Sequence, residues 1–330
     1  MGVFAVLRKG LDVVAADPKL VLFPIVLDLF LWFGPRLSSS ALFQQISELM
    51  KESFRSAPAL DVEVNQQMTE QLDLFVELLA EFGSRFNLFW GLSSYPVAVP
   101  SSMVGLLPLI PGRMPYENPL GRPMAIEIPM SIPSMVLLSL PILALGLGMG
   151  TLYHRWIAAG VDPESQVVPF VKGWVRILLL TALLGTAAFT TGFGILFVVG
   201  LINLLFGQQV GVLFLGLGLS LLLGAGIYVF FAPFAVVRQR TVQRAMLESF
   251  NVVRVNMVGT LFFLLSSGGL LYLTNMVWLM PGDSSWYALL GVLGHAFIST
   301  VLIASGYIFY QNRIEFLEEI KKKLFSAQMS

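Results

Sequence analysis

The sequence predicts an all-α polytopic membrane protein with six transmembrane helices. Of its 330 residues, 56% are hydrophobic and only 12% are charged, whereas a soluble domain has roughly 25% charged residues. The apolar residues are grouped in blocks close to the about 20 residues that a helix needs to cross a bilayer. The basic residues are distributed unevenly between the connecting segments, as is typical of membrane proteins.

The predicted spans cover residues 18–36, 132–153, 176–205, 210–233, 257–280 and 286–310. The first is the shortest, because its apolar run of about 15 residues falls below the usual length of about 20. It could instead be a cleaved signal peptide, with SSSA at 38–41 as the small-residue site. Two acids in the preceding segment, Asp12 and Asp17, and the interfacial residue Trp32 favour a retained span.

The charge distribution predicts the orientation of the spans. On one side of the predicted membrane lie 14 of the 20 basic residues; the other side, between positions 36 and 131, holds six together with ten acids. Basic residues in short loops near helix ends stay in the cytoplasm. We therefore expect a prokaryotic cytoplasmic (inner) membrane protein with both termini cytoplasmic. The 14 residues are Arg8, Lys9, Lys19, Arg155, Lys172, Arg176, Arg238, Arg240, Arg244, Arg254, Arg313, Lys321, Lys322 and Lys323.

The spans are predicted to form three hairpins. Two of the connections are short: residues 207–209, and PGDSSW at 281–286. An amphipathic segment precedes each outward-running span, with the sequences VFAVLRKGLDVVAADPK, VVPFVKGWVR and TVQRAMLESFNVVRVN. Such helices lie in the headgroup plane on their apolar face, so the sequence predicts a cytoplasmic elbow helix before each hairpin.

The single membrane domain, residues 1–330, carries an extracytoplasmic insert at 37–131 and a short cytoplasmic C-terminal helix at 312–330. Part of the insert has a helical apolar seam at steps of three and four, which needs a partner: the membrane surface, the rest of this protein or another subunit. The remainder, 92–133, is dense in proline, which predicts an irregular arm. The seam residues are Met68, Leu72, Phe75, Leu79, Phe82, Phe86 and Phe89.

Residues 231–265, FAPFAVVRQRTVQRAMLESFNVVRVNMVGTLFFLL, combine the end of one span, an amphipathic helix and the next span. The helix has an A-x-x-x-S-x-x-x-V-R-x-N rhythm, which LRKGLDVVAADPKLVLFPIV near the N-terminus echoes. This arrangement resembles bacterial and archaeal membrane proteins related to the membrane domain of glycerophosphoryl diester phosphodiesterase. The likeness covers about 1–36 and 140–311. It implies an architecture and no enzymatic activity, since no region corresponds to the catalytic barrel.

Asp28 is the sharpest candidate for a functional site, because a charged residue at the centre of a spanning helix costs about 2.5–3.5 kcal/mol and usually has a partner. His295, in the last span, is predicted at a similar depth. An Asp28–His295 pair could serve as a proton relay or substrate contact. Alternatively, each residue satisfies a structural hydrogen bond, or Asp28 is neutral because burial raises a carboxyl pKa.

Four arginines, Arg238, Arg240, Arg244 and Arg254, form a basic strip that is predicted to bind lipid head groups. A specific lipid-phosphate or protein site is the other reading. No nucleic-acid partner is predicted, since no basic domain or stacking platform accompanies the strip. With no cysteine and two histidines, neither a metal site nor a cofactor is expected.

Two functions fit these observations. The first is a non-catalytic membrane component that organises lipid or assembles with partner proteins, through the 68–89 seam or by self-association. The second is a permease for a small molecule or lipid that uses Asp28 and His295. A polar cavity reaching Asp28 would favour the permease, whereas a closely packed bundle with an exposed seam would favour assembly. No enzyme motif supports a catalytic role.

Overall fold

The computed structural model describes residues 1–38, 40–55, 62–93, 103–106, 117–121, 124–128, 131–164, 166–206, 208–282 and 284–328. Within these ranges the chain is almost entirely helical, with one two-stranded parallel sheet. The helices are α1 Val3–Ala16, α2 Leu22–Phe33, α3 Ser40–Arg55, α4 Val62–Arg85, α5 Met103–Leu106, α6 Ile132–Val161, α7 Phe170–Phe206, α8 Gln208–Val229, α9 Ala232–Val237, α10 Val242–Val255, α11 Met257–Trp278 and α12 Ala288–Gln328. The strands are β1 Arg36–Ser38 and β2 Ala125–Glu127.

Among the described residues, five helical stretches are long and apolar enough to cross a membrane. They match the second to the sixth predicted spans, which confirms the class of multi-pass, all-α membrane protein. Their bounds are Ile132–Val161, Phe170–Asn203, Val210–Val237, Met257–Trp278 and Ala288–Ile320.

The first predicted span, 18–36, is not one long helix. It consists of a 3₁₀ turn, Pro18–Val21, followed by α2, which has 12 residues. Pro18 cannot donate to a preceding turn, and the Asp17 side chain accepts a hydrogen bond from the Lys19 backbone at 3.3 Å. The chain leaves helical geometry at Gly34, whose N–H group bonds to the carbonyl of Phe30. The helix is therefore shorter than a regular span.

Separate helices, α1 and α10, occupy the first and third predicted amphipathic segments. The second segment, VVPFVKGWVR, differs from the prediction: α7 begins at Phe170 and continues without a break to Phe206. The predicted C-terminal helix is likewise a continuation of α12, which extends to Gln328. In both cases the helix continues without a break, because no proline lies within α7 or α12.

The core forms around α12. Phe309, near its middle, stacks on Phe263 of α11 at 4.6 Å and on Phe231 at 5.6 Å between ring centroids. Close approach of α1 depends on Gly10, because a Cβ there would lie 2.8 Å from the carbonyl oxygen of Val301. Most of the α7–α8 hairpin lies outside this core, since only 6% of the most apolar window in each stretch is buried. Ile177 and Leu180, near the start of α7, do pack into it.

The insert forms a second helical hairpin, α3 with α4. The Phe43 ring on α3 contacts Phe82 of α4 and Phe86, the residue that follows α4, at 5.4 and 5.2 Å between centroids. The insert is joined to the bundle by β1 and β2, in which Arg36 is paired with Ala125. Asn87 strengthens this junction, since its side-chain oxygen accepts hydrogen bonds from the backbone of Leu37 and Phe89.

Candidate functional site

Asp28 is fully buried in α2 and binds the backbone of the insert. Its carboxylate accepts hydrogen bonds from the N–H groups of Met103, at 3.0 Å, and Val104, at 2.9 Å. These residues begin α5, the described helix within the proline-rich arm, so the carboxylate satisfies backbone donors that a helix start leaves without partners. Hydrogen bonds to an ionised group contribute about 1.5–3 kcal/mol each. Asp28 therefore fastens the arm to the bundle.

The surroundings of this contact are apolar. Leu27, Leu31 and Trp32 of α2 cluster with Leu92 and Val104 of the insert and with Ala288 of α12, and all six are buried. Packing of this kind lowers the local dielectric and strengthens the hydrogen bonds of the carboxylate. The described residues thus place Asp28 in a packed junction between three parts of the chain.

His295 has a different partner. Its ring Nδ1 lies 2.7 Å from the side-chain oxygen of Asn275 on α11. Because an amide oxygen only accepts hydrogen bonds, the proton of the neutral ring is on Nδ1. The opposite nitrogen, Nε2, is buried and has no hydrogen-bond partner within the described part of the chain.

The structure does not join Asp28 and His295 by a direct hydrogen bond among the described residues. The arm supplies the reason: Met103, which binds Asp28, also reaches α12 beside Gly291, one turn before His295. Matching depths in two spans were a sound reason to compare the residues. They gave no information about a segment 75 positions away that enters between the two helices.

The arginine strip divides into two parts. Arg238 turns inward: its side chain is 8% exposed and forms an ion pair with Asp162 at 3.5 Å. It also donates to the carbonyl of Ala158 near the end of α6, and Gln311 donates to Asp162. Burial lowers the pKa of the Arg238 guanidinium, and the Asp162 carboxylate opposes this shift. Arg238 consequently joins α6, the α9–α10 turn and α12, and does not contribute to an exposed strip.

Arg240 is held on the other side of the same turn. Its Nε lies 2.7 Å from a carboxylate oxygen of Glu248, and the Tyr310 hydroxyl donates to the second oxygen at 2.7 Å. Gln239, between the two arginines, has a left-handed backbone with φ of 71°. Arg176 stabilises this conformation by donating to the carbonyls of Gln239 and Arg240.

The remaining strip residues, Arg244 and Arg254, are exposed on α10. Two exposed apolar residues, Leu247 and Phe250, lie on the same helix. This mixture of guanidinium and apolar groups is typical of a helix at a membrane interface.

Sequence analysis missed a buried polar cluster around His154. The Nδ1 of His154 lies 3.0 Å from the Tyr307 hydroxyl, and the neighbouring Tyr153 hydroxyl lies 2.6 Å from the hydroxyl of Thr300. The available signal was YHR at 153–155, three polar side chains at the end of an apolar span. It points to a polar contact without identifying α12 as the partner.

The α3–α4 hairpin leaves part of its apolar surface open. Phe82 and Phe86 of the seam pack on α3, whereas Leu74, Phe75 and Leu78 are 61%, 49% and 58% exposed. We call these three residues the open face of α4. Met68 of the predicted seam lies in α4, but its side chain is outside the described set.

Comparison of the chain with protein-family models, with curated proteins and with solved structures found no match.

Proposed function

We propose that the protein is a non-catalytic, multi-pass component of a prokaryotic cytoplasmic membrane that assembles with a partner protein through the open face of α4. The exposure of Leu74, Phe75 and Leu78 is the observation that supports this role. Exposed apolar groups on a water-facing insert mark interaction sites, because their burial by a partner is favourable.

The attachment of the hairpin supports the same role. Asp28 binds the arm, Asn87 binds the β1 backbone, and the rings of α3 and α4 interlock. A surface fixed in this way loses less conformational freedom on binding, which improves affinity. The buried, apolar surroundings of Asp28 favour this role over transport.

The proposed topology has six crossings with both termini cytoplasmic. The turn at Pro18–Val21 and α2 together extend about 26 Å, close to a hydrocarbon thickness of about 30 Å. Phe23 stacks on Tyr153, and Phe33 stacks on Trp286. Because Tyr153 bonds to Thr300, α2 runs antiparallel to the first half of α12. The resemblance to the phosphodiesterase membrane domain remains part of this proposal.

Membrane lipids are the other proposed partners. Exposed Arg244 and Arg254 would contact anionic head groups, each contributing about 1 kcal/mol. Leu247 and Phe250 would enter the part of the acyl region nearest these head groups. This contact would orient α10 as an interfacial elbow helix.

The chain has no cysteine, so a single introduced thiol tests the assembly role. Leu78→Cys, labelled with a photoreactive maleimide in membranes, is expected to form a protein adduct. An adduct of two 36.3 kDa chains would indicate self-association, and any other protein mass would identify a different partner. Leu120→Cys, exposed at 76% outside the hairpin, is the matched control. Lipid adducts alone at position 78, or the same protein adducts at both positions, would contradict the proposal.

The second candidate is a permease, and one observation favours it: the buried Nε2 of His295 has no partner among the described residues. A substrate hydroxyl or ammonium could donate to this nitrogen. Metabolite exchange in reconstituted vesicles that is abolished by His295→Leu, and retained in the Leu74→Ser/Leu78→Ser variant, would support transport over assembly.

A further inference from the structure

A pocket of about 310 Å³ lies between α10 and the final part of α12. Its polar lining comprises Arg240, Glu248, Asn251 and Glu318, and its apolar lining includes Val255 and Leu317. The volume falls at the lower end of the range for small-molecule sites, about 300–1,000 Å³. Neither the open face of α4 nor the Asp28 contact belongs to this region.

Arg240 presents an anion-binding edge in this pocket. Glu248 forms an ion pair with its Nε. The Tyr310 hydroxyl donates a hydrogen bond to the other carboxylate oxygen of Glu248. The two terminal nitrogens of the guanidinium have no hydrogen-bond partner in the described ranges. A guanidinium oriented in this way donates two parallel hydrogen bonds to a phosphate.

Glu318 supplies the opposite charge. It lies in the lining of the pocket, and it forms no ion pair within the described part of the chain. Glu248 already has two donors, so Glu318 is the carboxylate available to a ligand. A ligand that satisfies both sides of the pocket therefore carries an anionic group and a cationic group close together.

The apolar lining and the position in the fold identify the rest of the ligand. Val255 is the last residue of α10, and α11 begins two positions later at Met257. The pocket thus lies where one candidate span, Met257–Trp278, begins and where another, Ala288–Ile320, ends. In the proposed topology this is the cytoplasmic headgroup level. Aliphatic side chains there can contact the glycerol and first methylene groups of a lipid.

We propose that this pocket binds the head group of a phospholipid that carries a primary ammonium. Arg240 binds the phosphate, Glu318 binds the ammonium, and Val255 and Leu317 contact the glycerol and upper acyl carbons. The site is independent of partner binding through α4, because it involves no residue of the insert.

Native mass spectrometry of the full-length protein in detergent tests the site. Titration with dioleoyl phosphatidylethanolamine, phosphatidylcholine or phosphatidylglycerol is expected to show about tenfold tighter binding of the first, since one charged contact corresponds to roughly this factor. Glu318→Gln is expected to abolish the preference while retaining binding through the phosphate. Arg240→Gln is expected to weaken binding of all three lipids.

Two matched controls keep the charge change and move it away from the pocket. Arg8→Gln is an exposed change on α1, and Glu319→Gln lies next to Glu318; both are expected to preserve the preference. Leu317→Trp fills the pocket without changing its charge, and is expected to weaken lipid binding even if Arg240→Gln fails to fold.

A further titration separates a lipid head group from a free phosphate compound. Phosphoethanolamine, which has the same charges without acyl chains, is expected to bind at least tenfold more weakly than the lipid. Equal affinity for the three lipids, a preference unchanged in Glu318→Gln, or tighter binding of free phosphoethanolamine than of lipid would each overturn the proposal.

Discussion

The α7–α8 hairpin and α12 are equally hydrophobic and have opposite environments. The mean hydropathy of the most apolar window is 1.9 in α7, 2.3 in the α8 stretch and 1.9 in α12, yet the buried shares are 6%, 6% and 61%. Burial in this protein therefore does not follow hydropathy. In a bilayer lipid tails solvate leucine as well as protein does, so close packing and hydrogen bonds decide which helix becomes central.

Substitution of one phenylalanine by alanine in each region is expected to show the largest difference in the free energy of unfolding. Phe309→Ala on α12 removes a buried ring that stacks on Phe231 and Phe263, and should lower the free energy of unfolding by about 3–5 kcal/mol. Phe193→Ala on α7, where the ring is 66% exposed, should change it by less than about 0.5 kcal/mol. SDS titration in mixed micelles measures both. Equal losses would refute the view that α7 and α8 lie outside the core.

Asp28→Asn tests a carboxylate contact, which the α7–α8 hairpin cannot form because it contains no acidic residue. The amide loses the charge of the acceptor and directs an NH₂ group at two backbone donors, at an expected cost of about 3 kcal/mol. Met103→Cys is predicted to become reactive towards a water-soluble maleimide in this background, because the arm is released. Asp12→Asn, an exposed change on α1, serves as the control, and protection of the introduced thiol in both backgrounds would argue against the fastening role.

Alanine substitution of one glycine in each region compares how closely the helix backbone approaches its neighbours. Gly10→Ala on α1 places a methyl group against Val301 and Ser305 of α12, and overpacking of this kind costs about 1–3 kcal/mol. Gly185→Ala on α7 meets nothing within 4 Å, so its unfolding midpoint should stay the same or rise slightly. The prediction fails if both substitutions shift the midpoint by the same amount.

The smallest expected effect concerns the ion pair near the end of α6. Asp162→Asn leaves Arg238 without its carboxylate partner and should cost about 1 kcal/mol, the upper end for exposed pairs, because Asp162 is partly exposed. Glu164→Gln, two residues away and exposed, is the matched control. Differential scanning fluorimetry in detergent provides the readout, and a midpoint equal to that of the control would mean that solvent screens the pair.

Five of the six predicted spans are confirmed, because a long apolar run is stable only where lipid surrounds it. The sequence could not predict their burial, since the windows of α7 and α12 are indistinguishable by hydropathy. Asp28 was recognisable as a residue in need of a partner, whereas its partner is a pair of backbone N–H groups that carry no sequence signature. The division of the arginine strip also escaped prediction. Arg238 and Arg240 are two positions apart, and the left-handed backbone at Gln239 directs them to different acids.

The pairing of α1 with α12 has a consequence for biosynthesis. Gly10 is synthesised long before Val301 and Ser305, which it contacts. The Asp28 carboxylate likewise enters the translocon before Met103 has been synthesised. α1 and α2 must therefore remain incompletely packed until α12 arrives, so a chain that stalls before α12 should be a ready target for membrane proteases.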